Sequence, residues 1–176
     1  LGPNAALRLY PISSAFGSSR DVLGMSLGLS YTLRLGDGFA RLSNETHVET
    51  GAQRVSDAMT MGAVHVASPS TGAGRIVFDG RAQHRFRNYL RRFTSLGGEA
   101  RPRGFPSRWL LEEDYVTWSL EWRTPPLSIV STQWGLVGFF DQAAAWTEPA
   151  GPIPYHSAGL GLRIGTPQLD RVTFRL

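Results

Sequence analysis

Between Val22 and Leu35 apolar and polar positions alternate without a break. Leu23, Met25, Leu27, Leu29, Tyr31, Leu33 and Leu35 fall on one face, and Gly24, Ser26, Gly28, Ser30, Thr32 and Arg34 on the other. A period of two marks a β-strand. About fourteen residues is far beyond the roughly 5–6 of strands in soluble sheets, whereas a tilted strand crossing a bilayer needs about 9–11.

The alternation returns downstream. Ile76, Phe78, Gly80, Ala82 and Phe86 oppose Arg75, Asp79, Arg81, Gln83 and Arg85; Val116, Trp118, Leu120 and Trp122 oppose Tyr115, Thr117, Ser119, Glu121 and Arg123. Ala158, Leu160, Leu162 and Ile164 oppose Ser157, Gly159, Gly161 and Arg163, and Val172, Phe174 and Leu176 oppose Arg171, Thr173 and Arg175. Weaker strands are expected near 5–12, 39–50, 57–67 and 128–146, with a short one near 105–112. Gly36-Asp37-Gly38 predicts a tight hairpin and Thr166-Pro167 a further turn. No helical period persists, so the chain is expected to be all-β with about nine or ten strands.

Composition decides between two all-β architectures. The polar faces carry Gly, Ser, Thr and Arg and are poor in lysine, unlike the Lys- and Glu-rich outer faces of a soluble sandwich. Trp118, Trp122, Trp134 and Trp146 recur near segment ends, as an interfacial girdle requires. A transmembrane antiparallel β-barrel is therefore expected. The hydrophobic content of 41% and the lack of any run near the roughly 18–20 apolar residues of a membrane helix do not oppose it, because only alternate residues of a barrel strand face lipid.

Charge and cysteine usage narrow the chemistry. The net charge of +4 raises nucleic acid as a partner, but the arginines alternate along strands instead of massing on one helix face, so no nucleic acid is expected. With no cysteine there is neither a disulfide framework nor a thiolate metal site. His47, His65, His84 and His156 share no metal-ligand spacing. His156-Ser157 lacks a nucleophile elbow, and no Lys-Ser/Thr follows Gly97-Gly98 to make a phosphate loop. No catalytic residue, cofactor or metal is expected, and no enzymatic activity.

One loop carries the most specific signal. Gly97-Gly98-Glu99-Ala100-Arg101-Pro102-Arg103-Gly104-Phe105 precedes Ser119-Leu120-Glu121-Trp122 and then Phe139-Phe140-Asp141. Alternation places Glu121 with Thr117 and Ser119, and Asp141 with Phe139, on the polar faces of their strands. Two carboxylates inside a barrel are costly to leave unpaired. The planar, permanently charged guanidinium of Arg103 suits them better than an ammonium would. The alternative is a solvated Arg103, with Glu121 paired to Arg123 or to a neighbouring strand. Gly104 is expected to let the loop backbone approach the wall closely.

This order of motifs resembles the C-terminal barrel of the outer-membrane assembly superfamily, the BamA/TamA or bacterial surface antigen family. That family's long loop ends in an Arg-Gly-aromatic tip, here Arg103-Gly104-Phe105 within an inward-folding loop at 87–113. Pro102 replaces the family's aliphatic residue, and Ala143 its glycine two residues after the aspartate. The resemblance implies that Arg103 meets lumen-wall partners at Glu121, Phe139 and Asp141. It also implies a barrel of about sixteen strands, of which residues 1–176 would be a C-terminal part. The N-terminal strands and periplasmic domains are then expected to be missing, and the last strand to be cut at Leu176.

The function the resemblance implies is assisting the insertion, assembly or translocation of outer-membrane or surface proteins in the outer membrane of Gram-negative bacteria. Partners would be outer-membrane lipids, client proteins and periplasmic accessory proteins. The alternatives are a transport pore, or a barrel fused to an upstream exported enzyme such as a patatin-like lipase.

Overall fold

A computed structural model describes residues 1–51, 54–98, 101–165 and 173–175. The strands are β1 (Gly2–Ile12), β2 (Val22–Leu35), β3 (Gly38–Gly51), β4 (Arg54–Ala67), β5 (Arg75–Asn88), β6 (Thr94–Leu96), β7 (Leu110–Glu112), β8 (Asp114–Arg123), β9 (Leu127–Ile129), β10 (Thr132–Trp146), β11 (Ile153–Gly165) and β12 (Thr173–Arg175). Among the described residues the only helical element is a single 3-10 turn at Ser14–Phe16. The chain is all-β.

Ten strands form one antiparallel sheet in the order β1-β2-β3-β4-β5-β8-β10-β11-β12, with β9 paired to the lower part of β10. Every neighbour is a sequence neighbour once the loop between β5 and β8 and the short β9 are set aside. The remaining pair, β6 and β7, is a miniature hairpin inside that loop. β1 and β12 are not paired with each other, so the sheet is open among the described residues.

The long alternating segments become the long strands. β2, β3, β4 and β5 are 14 residues each, and β10 is 15. The segment read as one strand over 128–146 is divided by a turn at Val130-Ser131 into β9 and β10. The positive φ of Val130 (55°) is what interrupts it. β6 and β9 carry three residues each, too few to show a period in sequence. The turn at Thr166-Pro167, and Arg171, Val172 and Leu176 of the last expected strand, lie outside the described residues.

The two faces differ as the alternation requires. On β2, Leu23, Leu27, Leu29 and Leu33 are between 38% and 58% exposed, while Val22 and Ser26 on the other face are buried. Trp122, Leu120, Leu136 and Leu160 continue the exposed apolar face across β8, β10 and β11. A soluble domain seldom leaves so large a contiguous apolar surface bare. Trp118 departs from the girdle expectation: it stands in the interior of β8, packed between Phe78 and Phe140, not at a segment end.

The polar face is covered by the chain's own loop. Its β6–β7 hairpin lays Leu96 and Leu110 against Tyr115 and Ala145, with Tyr155 alongside, forming a small buried cluster. Gln83 of β5 fastens this plug, donating to Thr94 Oγ1 (2.7 Å) and to the carbonyl of Glu113 (2.9 Å). Further small apolar residues such as Val77 and Val137 are buried along the sheet, amid side chains held by charge.

Candidate functional site: an arginine cluster on the polar face

One register row crosses seven strands. Thr32, Arg41, His65, Asp79, Ser119, Asp141 and Ser157 are successive partners on β2, β3, β4, β5, β8, β10 and β11. Register partners lie on one side of a sheet, so this row is a continuous polar rung. The loop tip docks on it.

Arg103 lies between the two carboxylates. Its Nε and Nη2 donate to Asp141 Oδ2 (2.8 Å) and Oδ1 (2.7 Å), and its backbone N–H donates to Oδ2 (3.0 Å). Nη1 donates to Glu121 Oε1 (2.8 Å), and Nη2 also to Ser119 Oγ (2.9 Å). The guanidinium carbon stands 3.7 Å over the ring of Phe139, in cation–π geometry. Asp141 and Ser119 are fully buried and Glu121 nearly so. Arg103, Glu121, Phe139 and Asp141 therefore form one constellation.

Three further charged groups join it. Arg123 grips the second oxygen of Glu121 through Nε (2.8 Å) and Nη2. Arg101 approaches Asp79 Oδ1 (3.3 Å) and Glu121 Oε1 (3.6 Å). Asp79 in turn holds His65 Nδ1 at 2.9 Å. Asp79 and Arg123 are among many charges on alternating faces, brought together by the register, whereas Arg101 is carried there by the loop.

Burial opposes both loop guanidinium charges. In Arg103 the hydrogen bond to Asp141 and that carboxylate's charge outweigh burial and raise its pKa above the ordinary arginine value. In Arg101 burial prevails over the charges of Asp79, Asp141 and Glu121, and the pKa is lowered. Arg103 is the better-compensated cation of the two.

Gly104 takes a different role from the one its sequence suggests. A Cβ on Gly104 would meet no atom within 4 Å, so close approach to the wall does not explain the glycine. Its φ of +82° does, because L-residues with a side chain rarely adopt that conformation. Phe105 turns from the arginine and packs edge-on against Tyr155 (5.9 Å) and beside Trp109 (6.3 Å). Pro102 is fully buried, and Ala143, also fully buried, lies beneath the loop on the wall.

A second ionic cluster went unread in the sequence. Glu49 of β3 accepts from Arg20 Nη2 (3.0 Å), Arg92 Nη2 (3.4 Å) and Tyr10 Oη (3.3 Å). Asp57, its register partner on β4, lies 3.7 Å from Arg85 and 3.9 Å from Arg92. Arg20 belongs to the β1–β2 connection and Arg92 to the base of the long loop, so the carboxylates tie two connections to the sheet.

The histidines are placed by local partners: His47 by Glu45 (3.0 Å), His84 by Asp114 (2.8 Å) and His156 by the ring of Phe140 (6.2 Å). Among the described residues no three His, Asp or Glu side chains converge as a metal site would require. No protein-family model, curated protein or solved structure matches the chain.

Proposed function

We propose that this chain is part of an outer-membrane β-barrel of the assembly superfamily, assisting the insertion or translocation of other outer-membrane or surface proteins. The carrying observation is the seating of Arg103 on Asp141, Glu121, Ser119 and Phe139. Long strands with a bare apolar face add to it, since closure and lipid are two ways of satisfying such a sheet. In this reading the β5–β8 loop is extracellular and folds inward, the short turns such as Gly36-Asp37 are periplasmic, and the apolar face meets lipid.

An inward loop locked by a buried ionic cluster favours this over an open pore. The β6–β7 hairpin and the arginine tip occupy the surface a transport channel would leave wet. The work would be done without nucleotide, metal or catalytic residue, through strand pairing with a client at an open sheet edge.

The test has two stages. Heat-modifiable migration of the protein from an outer-membrane fraction establishes the barrel. Reconstituted into liposomes, it should then speed the folding of an unfolded outer-membrane client several-fold over empty liposomes. A folded, membrane-embedded protein that leaves client folding unchanged would contradict the assembly role. A protein recovered from the soluble fraction would contradict the barrel itself.

A further inference from the structure

A bulge turns one arginine of β5 to the apolar side of the sheet. Ala58 pairs with Arg87 and Met59 with Arg85, leaving Phe86 as the extra residue. Arg85 shares the polar side with its ion-pair partner Asp57. Arg87 shares the opposite side with Ala58. The rings of His84 and Phe86 meet edge-on at 4.6 Å, placing Phe86 on that opposite side as well.

Arg87 is exposed and, among the described residues, has no ionic or hydrogen-bonding partner. Exposed aromatic residues stand beside it: Phe86 is 56% exposed and Tyr89 72%. Beside it opens a groove of about 1230 Å³ whose lining includes Val22, Val55, Phe86, Tyr89, Arg20 and Arg87. Asp21, also at the groove, is occupied by the Ser13 hydroxyl and by both the hydroxyl and the backbone N–H of Ser14. Arg20 is paired with Glu49. Among the described residues Arg87 is thus the groove's cation without an ion-pair partner, and the side chain of Arg91, exposed in the turn after β5, has none either.

We infer that this groove is a docking site for a membrane lipid with an anionic phosphate headgroup. Arg87 would take the phosphate, for which a guanidinium offers two parallel donors. Phe86, Val55 and Tyr89 would line the start of the acyl chains, which continue along the apolar face. The assignment rests on the membrane-barrel reading, which sets this end of the strands at the bilayer interface, where aromatic and basic side chains belong. Charge complementarity and continuity with the apolar face select a lipid over a soluble anion.

The test uses the intact protein in detergent with phosphatidic acid and phosphatidylcholine as competing probes, and retained lipid read by native mass spectrometry. Wild type should retain phosphatidic acid preferentially, and Arg87→Gln should reduce that retention about fivefold. Arg8→Gln removes an exposed, unpaired charge from the polar face of β1 and should leave retention unchanged. Equal loss in both variants, no preference for phosphatidic acid, or displacement by inorganic phosphate at equal affinity would overturn the inference. Heat-modifiable migration is checked first in each sample: a protein that never enters the membrane fails the barrel reading, and the lipid site falls with it.

Discussion

Arg103 binds Asp141 through both main chain and side chain. The backbone N–H and Nε converge on Oδ2, while Nη2 takes Oδ1. The carboxylate is fully buried, so each donor replaces a water it has lost. Fixing the backbone as well as the guanidinium means that the contact sets the course of the loop, not only the position of one side chain.

Removing that arginine should therefore cost more than removing a neighbour. Arg103→Ala leaves Asp141 without its cation and is expected to destabilise the fold by about 3 kcal/mol, in the range for breaking a buried pair. Arg103→Lys should fall between, having lost the fork. Arg108→Ala, exposed and without a partner among the described residues, should be neutral. Urea midpoints read from the heat-modifiable gel band decide it; equal midpoints for Arg103→Ala and Arg108→Ala would refute the contact's importance.

Phe139 is positioned by the absence of a side chain opposite. A Cβ on Gly159, its register partner on β11, would lie 2.7 Å from the ring. Gly159→Ala should push the ring out from under Arg103 and cost about 1–3 kcal/mol by overpacking. Gly62→Ala, whose Cβ would meet nothing within 4 Å, should not. The same midpoints compare the two, and parity between them would count against this packing.

Glu49 holds two connections, Arg20 one. Glu49→Gln should raise hydrogen exchange both in the β1–β2 connection and around Arg92, whereas Arg20→Gln should raise it only in the former. If Glu49→Gln left the region around Arg92 as protected as in wild type, the tie would be absent.

Acid should loosen the β1–β2 connection. The backbone N–H of Ser14, followed by the hydroxyls of Ser13 and Ser14, lowers the Asp21 pKa below the ordinary 3.8. A lowered folded-state pKa means stability that is present above the unfolded value and lost as pH falls through the folded one. Carboxyl carbon NMR should show Asp21 titrating below 3.8, with Ser14 amide protection falling over the same range. Titration at or above 3.8 would contradict the hydrogen-bond set.

Much of the sheet could be read from alternation, because a period of two fixes both strand and face at once. The long strands β2, β5, β8 and β11 follow from it. β6 and β9 do not, since three residues show no period and their place is set by packing and pairing. For the site, an Arg-Gly-Phe tip and two strand carboxylates mark Arg103, Glu121 and Asp141. Arg123 was legible only as an alternative partner of Glu121, and the structure has it grip that carboxylate beside Arg103. Asp79 stayed hidden because it is one charge among many on an alternating face, and Arg101 because a loop sequence does not show which wall carboxylates it reaches. Register partners such as Asp79–Ser119–Asp141 are a property of the assembled sheet. The role of Gly104 was misread for a similar reason: sequence shows a glycine but not whether space or φ demands it.

In an outer-membrane barrel the exposed apolar face of β2 should lie against lipid. The chain has no cysteine, so single cysteines can carry a spin label without background. Labels at Leu27→Cys, Leu29→Cys and Leu33→Cys, in the protein reconstituted into bilayers, should be accessible to oxygen and shielded from a water-soluble nickel relaxant. Ser26→Cys, Ser30→Cys and Thr32→Cys should show less oxygen access. An oxygen signal alternating with period two along β2 is the predicted result. Uniform accessibility to the nickel reagent at all six positions would place both faces in water and contradict the account.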